Sequence, residues 1–336
     1  MTATPSTSTS TSTSTSTGAE PTSAVRRGGR PGHAPASRRR LRRLRRRAVS
    51  FAGLVWLRAT FLVLRVVAPR AADRRALDVW CTLPPGARHH RLDARPRPGD
   101  VVRLPAPRGG GEVVAEVWGA GQADGAPVVY LVHGWGGWRG QLGAFVDPFL
   151  AAGHRVVAVD APGHGDADAG FMGPHRGTVT EMIEALEEAV RAFGEPAGVV
   201  AHSLGTTVAM AVLRDGVPAD RLVLLAPNPA FAELLDRFAS VLWLGDRAKA
   251  HLRGALEDIT GRPIDDFDVI PAGADGAMPD ALVVHDRGDR ETAHAVGAAV
   301  AQAWPNATLL TTEGLGHYRI LADARVVEAA VAHVAR

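Results

Sequence analysis

Ser203 has the sequence context of a nucleophilic serine. The apolar run Val199-Val200-Ala201-His202 stops at Ser203, and a helical pattern of small residues begins directly afterwards at Leu204-Gly205. This layout predicts a strained strand-to-helix turn that pushes the hydroxyl out of a sheet into a pocket. Gly205 fits the pattern G-x-S-x-G, while Ala201 replaces its first glycine. The alternative is a serine that opens the helix as its N-cap.

A serine hydroxyl needs a base to take its proton and an acid to orient that base. In this strand-turn-helix setting the expected chain order is Ser, then Asp or Glu, then His, each in a loop after a strand. His317 meets this in the run Gly314-Leu315-Gly316-His317. Asp289 and Asp286 compete for the acid, and Asp289 is favoured because it lies further out on its loop. Taken singly, Asp286 and Asp289 are each also explained as a solvated turn carboxylate, and His317 as an ordinary loop histidine.

Two loops are expected to supply backbone N–H groups for a developing oxyanion. One donor is Leu204, which directly follows the serine. The other is Trp135, by its position in the glycine-rich run His133-Gly134-Trp135-Gly136-Gly137-Trp138. Substrate contacts are predicted for Trp138, Phe231 and Leu235, with simple packing as an equal alternative for Trp138.

Alternating strands and helices must position these residues. The predicted strands are 112–118, 128–133, 155–160, 198–202, 221–226, 281–285 and 307–311, and the predicted helices are 141–152, 178–193, 204–214 and 324–335. Strands that are apolar on both faces and separated by helices indicate a parallel sheet covered on both sides. The alternation lapses after residue 227, where an apolar helical stripe predicts a small cap at about 228–279, inserted between two strands.

Charge divides the chain into two parts. Residues 1–100 hold 20 arginines and 5 acidic residues, a net charge of +15, whereas residues 101–336 carry −12. Cys81 is the single cysteine, which excludes an intrachain disulfide framework. The sequence has no Cys and His cluster with the spacing of a structural zinc site, and the arginine run 38–47 has no interleaved aromatic residues that would favour specific nucleic-acid binding.

The N-terminal region predicts a disordered Ser/Thr- and Arg-rich tail over 1–47 and an amphipathic helix with a connecting segment over 48–99. Arg58 and Arg65 interrupt the apolar stretch, which argues against a membrane span and against a signal peptide. Two interpretations stay close. The helix docks on the following domain, which is slightly favoured, or it lies on a membrane surface through residues 38–68. A cytoplasmic location is expected, with the inner face of the membrane as the alternative.

From about Val113 to the C-terminus the chain resembles the α/β-hydrolase superfamily. The resemblance rests on the Ser203 turn, His133-Gly134, the run Asp160-Ala161-Pro162-Gly163-His164-Gly165 and Gly314-Leu315-Gly316-His317. It implies an α/β fold over 100–336 with a mostly parallel, doubly wound, eight-stranded sheet, and a triad without a cofactor.

The activity expected from this resemblance is that of a serine hydrolase. It would cleave a small-molecule carboxylic ester with a hydrophobic, small to medium acyl or alcohol group, through Ser203, His317, Asp289 and an acyl-enzyme. The alternatives are an acyltransferase, another chemistry of the superfamily, or a ligand-binding relative without catalysis.

Overall fold

The computed structural model describes residues 36–84, 96–108, 111–122 and 125–336. The chain divides into two units, Met1–Gly53 and Leu54–Arg336. In the first unit the described residues, from Ala36 onward, are helical. The second unit holds all of the strands in the described ranges.

A single eight-stranded sheet forms the centre of the second unit. Its strands are β1 (Asp100–Pro105), β2 (Glu112–Trp118), β3 (Val128–Val132), β4 (Arg155–Asp160), β5 (Pro196–His202), β6 (Arg221–Leu225), β7 (Asp280–Asp286) and β8 (Ala307–Thr312). Their spatial order is β1-β2-β4-β3-β5-β6-β7-β8. Only the β1–β2 and β2–β4 pairs are antiparallel. This mostly parallel, eight-stranded sheet confirms the predicted fold class. In such a sheet the carboxyl ends of the parallel strands lie at one edge.

Helices cover the sheet and build the cap. They are α1 (Ala36–Val67), α2 (Pro69–Trp80), α3 (Val146–Ala151), α4 (Val179–Phe193), α5 (Leu204–Arg214), α6 (Phe231–Leu242), α7 (Asp246–Thr260), α8 (Val269–Ala272), α9 (His294–Ala303), α10 (Gly316–Arg319) and α11 (Ala324–Val334). Short 3₁₀ turns span Arg139–Phe145, Ile264–Phe267 and Ile320–Ala322. Buried side chains form one hydrophobic cluster on each face of the sheet.

Some elements differ from the sequence prediction. β1, α2, α7 and α9 were not predicted, and the helix expected over 141–152 is a 3₁₀ turn followed by α3. α9 is rich in Ala, Gly and Val and lacks a contrasting polar face, so its periodicity is weak. α7 is too polar to show an apolar stripe, since only Leu252 and Leu256 are buried along it.

The N-terminal helix begins earlier than predicted. α1 starts at Ala36, within the tail predicted over residues 1–47, and its first turns consist largely of arginine and leucine, which are good helix formers. The remainder of that tail lies outside the described residues. Among the residues that the structure describes, no helix combines the length and the apolar character needed to cross a bilayer.

Candidate active site

Ser203 lies at a sharp turn between β5 and α5. Its backbone has φ +53° and ψ −123°, a left-handed conformation that is strained for a residue with a side chain. The Ser203 N–H donates to the Leu225 carbonyl of β6 (2.9 Å), which anchors the turn to the sheet. Its side chain makes no N-cap hydrogen bond to α5. The N-cap alternative therefore lacks the hydrogen bond that defines a cap.

The turn needs small neighbours. A Cβ atom at Gly205 would lie 2.6 Å from the carbonyl oxygen of Val132 and 2.7 Å from that of His133. A Cβ atom at Gly134 would lie 2.9 Å from the Cβ of Ser203. These glycines let the loop after β3 approach the Ser203 turn closely.

His317 and Asp289 are in direct contact. The Nδ1–H of His317 donates to Asp289 Oδ2 at 2.7 Å, and both side chains are almost fully buried. Asp289 Oδ1 accepts the backbone N–H groups of Glu291 (2.8 Å) and Thr292 (3.1 Å). Burial opposes ionisation of Asp289, but hydrogen bonds from His285, His317 and the Glu291 N–H outweigh it and hold the Asp289 pKa well below its usual range. The carboxylate is therefore ionised and fixes the tautomer of the imidazole.

Asp286 has different partners. Its carboxylate accepts the N–H of Gly288 (2.8 Å), the hydroxyl of Thr312 (2.9 Å) and the N–H of Leu315 (2.9 Å). Burial works against its charge, but these hydrogen bonds lower the Asp286 pKa nonetheless. Asp286 thus ties the loop that carries His317 to the end of β7.

His202 was given no role in the sequence analysis and lies against the imidazole of His317. The two ring centroids are 4.7 Å apart, and His202 Nε2–H donates to the backbone carbonyl of His317 at 3.0 Å. Burial, with a smaller contribution from the neighbouring charge of His317, lowers the His202 pKa to about 3. His202 is therefore neutral at physiological pH. Its position directly before Ser203 was the one sequence signal for it.

Ser203 opens into a cavity of about 470 Å³. Leu204 and Trp135 share its wall with Ser203, and among the described residues neither of their N–H groups donates to a backbone carbonyl. These are the two donors predicted for an oxyanion. His164 packs edge-on against Trp135, with ring centroids 5.5 Å apart, and supports that loop.

The rest of the cavity wall is mostly apolar and comes from the end of α2 and from the cap, which includes α6. It includes Val79, Trp80, Cys81, Phe231, Leu234, Phe238, Val241, Leu242, Leu256, Ile259, Ile264 and Phe267. Trp80 meets Phe238 edge-to-face, with ring centroids 5.1 Å apart. An apolar wall of this extent beside one polar end suits a ligand with a hydrocarbon portion.

Of the three predicted substrate contacts, only Phe231 lines the cavity. Leu235 is 3% exposed and packs in the core instead, because successive residues of a helix are rotated by 100° and Leu234 takes the inward position. The buried ring of Trp138 lies over Gly140, outside the cavity wall. Trp80 and Val79 were missed because nothing local in α2 signals a pocket.

The loops around the site are held by a buried arginine. Arg139 forms ion pairs with Glu116 of β2 (2.8 Å), with Asp160 at the end of β4 and with Asp166 (2.8 Å). Asp160 also accepts the backbone N–H of Asp166 at 2.9 Å. The network fixes the loop after β4, where His164 contacts His133 and Trp135. Within the described ranges, no group of three or more His, Cys, Asp or Glu residues is placed to bind a metal.

Comparison with known proteins identifies the class. Residues 129–330 match the model of the alpha/beta hydrolase family, and the chain belongs to this family. The ferulic-acid-bound Est1E from Butyrivibrio proteoclasticus has a similar structure, with a TM-score of 0.53 and 17% identity. The match covers 70% of this chain and all of that one, and it shows the shared fold.

Two curated relatives are similar in sequence. A pimeloyl-[acyl-carrier protein] methyl ester esterase from Neisseria meningitidis serogroup C is 42% identical over 88 residues, covering 26% of this chain and 31% of that protein. The chain thus spans about a third of the length of that esterase. A non-heme chloroperoxidase from Streptomyces lividans is 29% identical over 246 residues, covering 59% of this chain and 87% of that protein.

Proposed function

We infer that this chain is a serine esterase with Ser203, His317 and Asp289 as its catalytic triad. The observation that carries this function is the buried His317–Asp289 hydrogen bond of 2.7 Å, at the edge of the sheet where Ser203 projects from a strained turn into an apolar cavity. His202, the chain neighbour of Ser203, donates a hydrogen bond to the backbone carbonyl of His317, which supports the proposal that Ser203 and His317 act together.

In the proposed reaction the Ser203 hydroxyl attacks the ester carbonyl while His317 Nε2 accepts its proton. Asp289 stabilises the resulting imidazolium through Nδ1–H. The N–H groups of Trp135 and Leu204 stabilise the tetrahedral oxyanion. His317 then protonates the departing alcohol, and water releases the acyl group from Ser203 by the same route.

The substrate class follows from the cavity. Its apolar wall favours an ester with a hydrophobic acyl or alcohol group, and its volume of about 470 Å³ lies within the range of small-molecule sites. The name of the Neisseria relative, a methyl ester esterase, supports an ester as the reacting group.

A fluorophosphonate probe and a panel of chromogenic esters test the proposal, because only an activated serine reacts with the probe. Wild-type protein should be labelled, and Ser203→Ala should lose labelling and lower kcat by roughly 10⁴-fold or more. Ser240→Ala, on the exposed side of α6, is the matched control and should behave like wild type. Ester hydrolysis that survives in Ser203→Ala would refute the assignment, and acyl transfer to an added alcohol in preference to water would change the reaction type.

A further inference from the structure

The described turns of α1 that belong to the second unit have two unlike faces. Phe61 is 1% exposed, and Leu54, Leu57 and Leu64 pack against the same core. Arg58 donates from Nε to the carbonyl of Val241 in α6 at 2.7 Å, and its guanidinium lies 4.4 Å from the ring centroid of Trp243. This face docks the helix on the cap, as the sequence analysis slightly favoured.

The other face, here called the outer face, is bare and apolar. It consists of Val55, Trp56, Val63, Val66 and Val67, whose exposures are 47%, 64%, 60%, 76% and 75%. At 100° per residue they fall within about 120° of one another around the helix axis. Between residues 54 and 67 the only exposed charged residue is Arg65, which lies off this sector. A contiguous apolar patch of this kind on a folded domain indicates a surface that is covered in use.

The charge of the segment that precedes the outer face indicates what kind of partner covers that face. The run 38–47, which precedes the outer face in sequence, contains eight arginines in ten residues. A second copy of the chain carries the same positive charge in this segment, so charge complementarity favours an anionic partner over a second copy. An apolar helix face with a tryptophan, next to a polycationic run, is the combination by which helices lie on anionic lipid surfaces.

The docking face of α1 reaches the rim of the cavity through Arg58. Val241 accepts the Arg58 hydrogen bond, lines the cavity and is 41% exposed. Trp243, which stacks with Arg58, is 51% exposed and extends the apolar surface beyond the end of α6. Two exposed apolar residues of the cap thus lie against Arg58, which is two residues along α1 from Trp56 of the outer face.

We propose that the outer face of α1 docks the protein on an anionic bilayer surface, with the cavity edge at Val241 beside the lipid, and that the positive charge of the run 38–47 adds to the attraction for anionic headgroups. The helix lies in the interface and does not cross the membrane. An amphiphilic ester dissolved in the bilayer would then reach the cavity without passing through water.

The test is co-sedimentation of the full chain with phospholipid vesicles. Vesicles in which about one lipid in three is phosphatidylglycerol should bind wild-type protein, and pure phosphatidylcholine vesicles should bind it at least tenfold less. Binding should weaken as salt is raised. The double variant Val63→Asp with Val66→Asp should bind at least tenfold less than wild type, whereas Val101→Asp, at an equally exposed valine (56%) on β1, should bind like wild type.

Two outcomes would overturn the proposal. One is that wild-type protein binds both vesicle types equally, or binds neither of them. The other is a dimer in multi-angle light scattering that the double variant abolishes, since the outer face would then be an interface between copies. Circular dichroism of the variants checks that they are folded. Ser203→Ala should bind vesicles as wild type does, so the result does not depend on whether the proposed esterase activity is correct.

Discussion

Two carboxylates lie three residues apart at the end of β7 and just beyond it, and their hydrogen-bond partners separate their roles. Asp289 contacts the imidazole of His317, whereas Asp286 accepts only groups that hold the neighbouring loops. The separation arises because Asp286 ends the strand with its side chain turned into the loop, while Asp289 lies one turn further along. Thr292 closes the arrangement by donating from its hydroxyl to Asp289 at 3.2 Å.

Exchanging each carboxylate for its amide distinguishes the two roles. Asp289→Asn should lower kcat by about 10⁴-fold, because it favours the wrong imidazole tautomer. Asp286→Asn should leave most of kcat intact and lower the free energy of unfolding by about 1–3 kcal/mol, because one buried oxygen loses its donors. Ester kinetics and urea unfolding measure the two effects. If Asp286→Asn is the variant that is inactive while fully folded, Asp286 is the catalytic acid.

At the scale of secondary-structure elements, α2 contributes to the cavity wall from outside the matched region. It lies before the segment that matches the family, residues 129–330, yet Val79, Trp80 and Cys81 at its end form part of the cavity wall. The isolated bridge between Thr82 and Arg176, and the Arg176–Asp78 ion pair of 2.5 Å, fasten that end beside the start of α4. The cavity is therefore shaped jointly by the cap and by a helix from outside the matched region.

Trp80→Ala should alter the acyl preference of the proposed esterase. Loss of the indole from the wall opens space, so bulky or long acyl esters should gain in kcat/KM relative to short ones by about 10-fold or more, since one methylene in a fitted pocket is worth about 10–200-fold. Trp80→Phe keeps an aromatic ring against Phe238 and should retain most of the original preference. Trp56→Ala, outside the cavity, is the matched control. An unchanged chain-length profile in Trp80→Ala would contradict this role of α2.

At the scale of the whole molecule, buried histidines link stability to pH. Burial lowers the pKa of His133, and that of His202 falls to about 3. The unfolded chain takes up protons at these residues below about pH 6.5, while the folded chain does not. The free energy of unfolding therefore falls as pH drops from about 6.5 toward 3, and above that window these histidines have no effect. The lowered pKa values of Asp286 and Asp289 add a loss of the same sign below about pH 4.

Urea unfolding at pH 8, 7, 6 and 5 should show near-constant stability above pH 7 and a decline below it. His202→Gln should reduce the number of protons taken up on unfolding by up to one. The slope of the unfolding free energy against pH should therefore fall by up to about 1.4 kcal/mol per pH unit. His251→Gln, at an exposed site on α7, serves as the control and should keep the wild-type slope. A stability that is the same at pH 7 and pH 5 would show that the buried histidines are not protonated on unfolding.

Local patterns carried much of the prediction. The bounds of β2, β4 and α5 agree with the sequence because each is a strong run of one periodicity with clear ends. The cap was predicted where strand patterns lapse, and α6 and α7 occupy that region. β1 escaped prediction because, as an edge strand, it alternates weakly and has no fully buried residue.

The sequence by itself determined the order of strands and helices, the glycines around the turn at Ser203, and the chain order of serine, carboxylates and histidine. These depend on backbone conformation and on periodicity, which act between near neighbours. Tertiary structure alone decided which aspartate meets His317, that His202 supports that imidazole, and that Trp80 lines the cavity in place of Leu235. Those outcomes depend on residues 28 to more than 150 positions apart being packed together, and no local pattern contains that information.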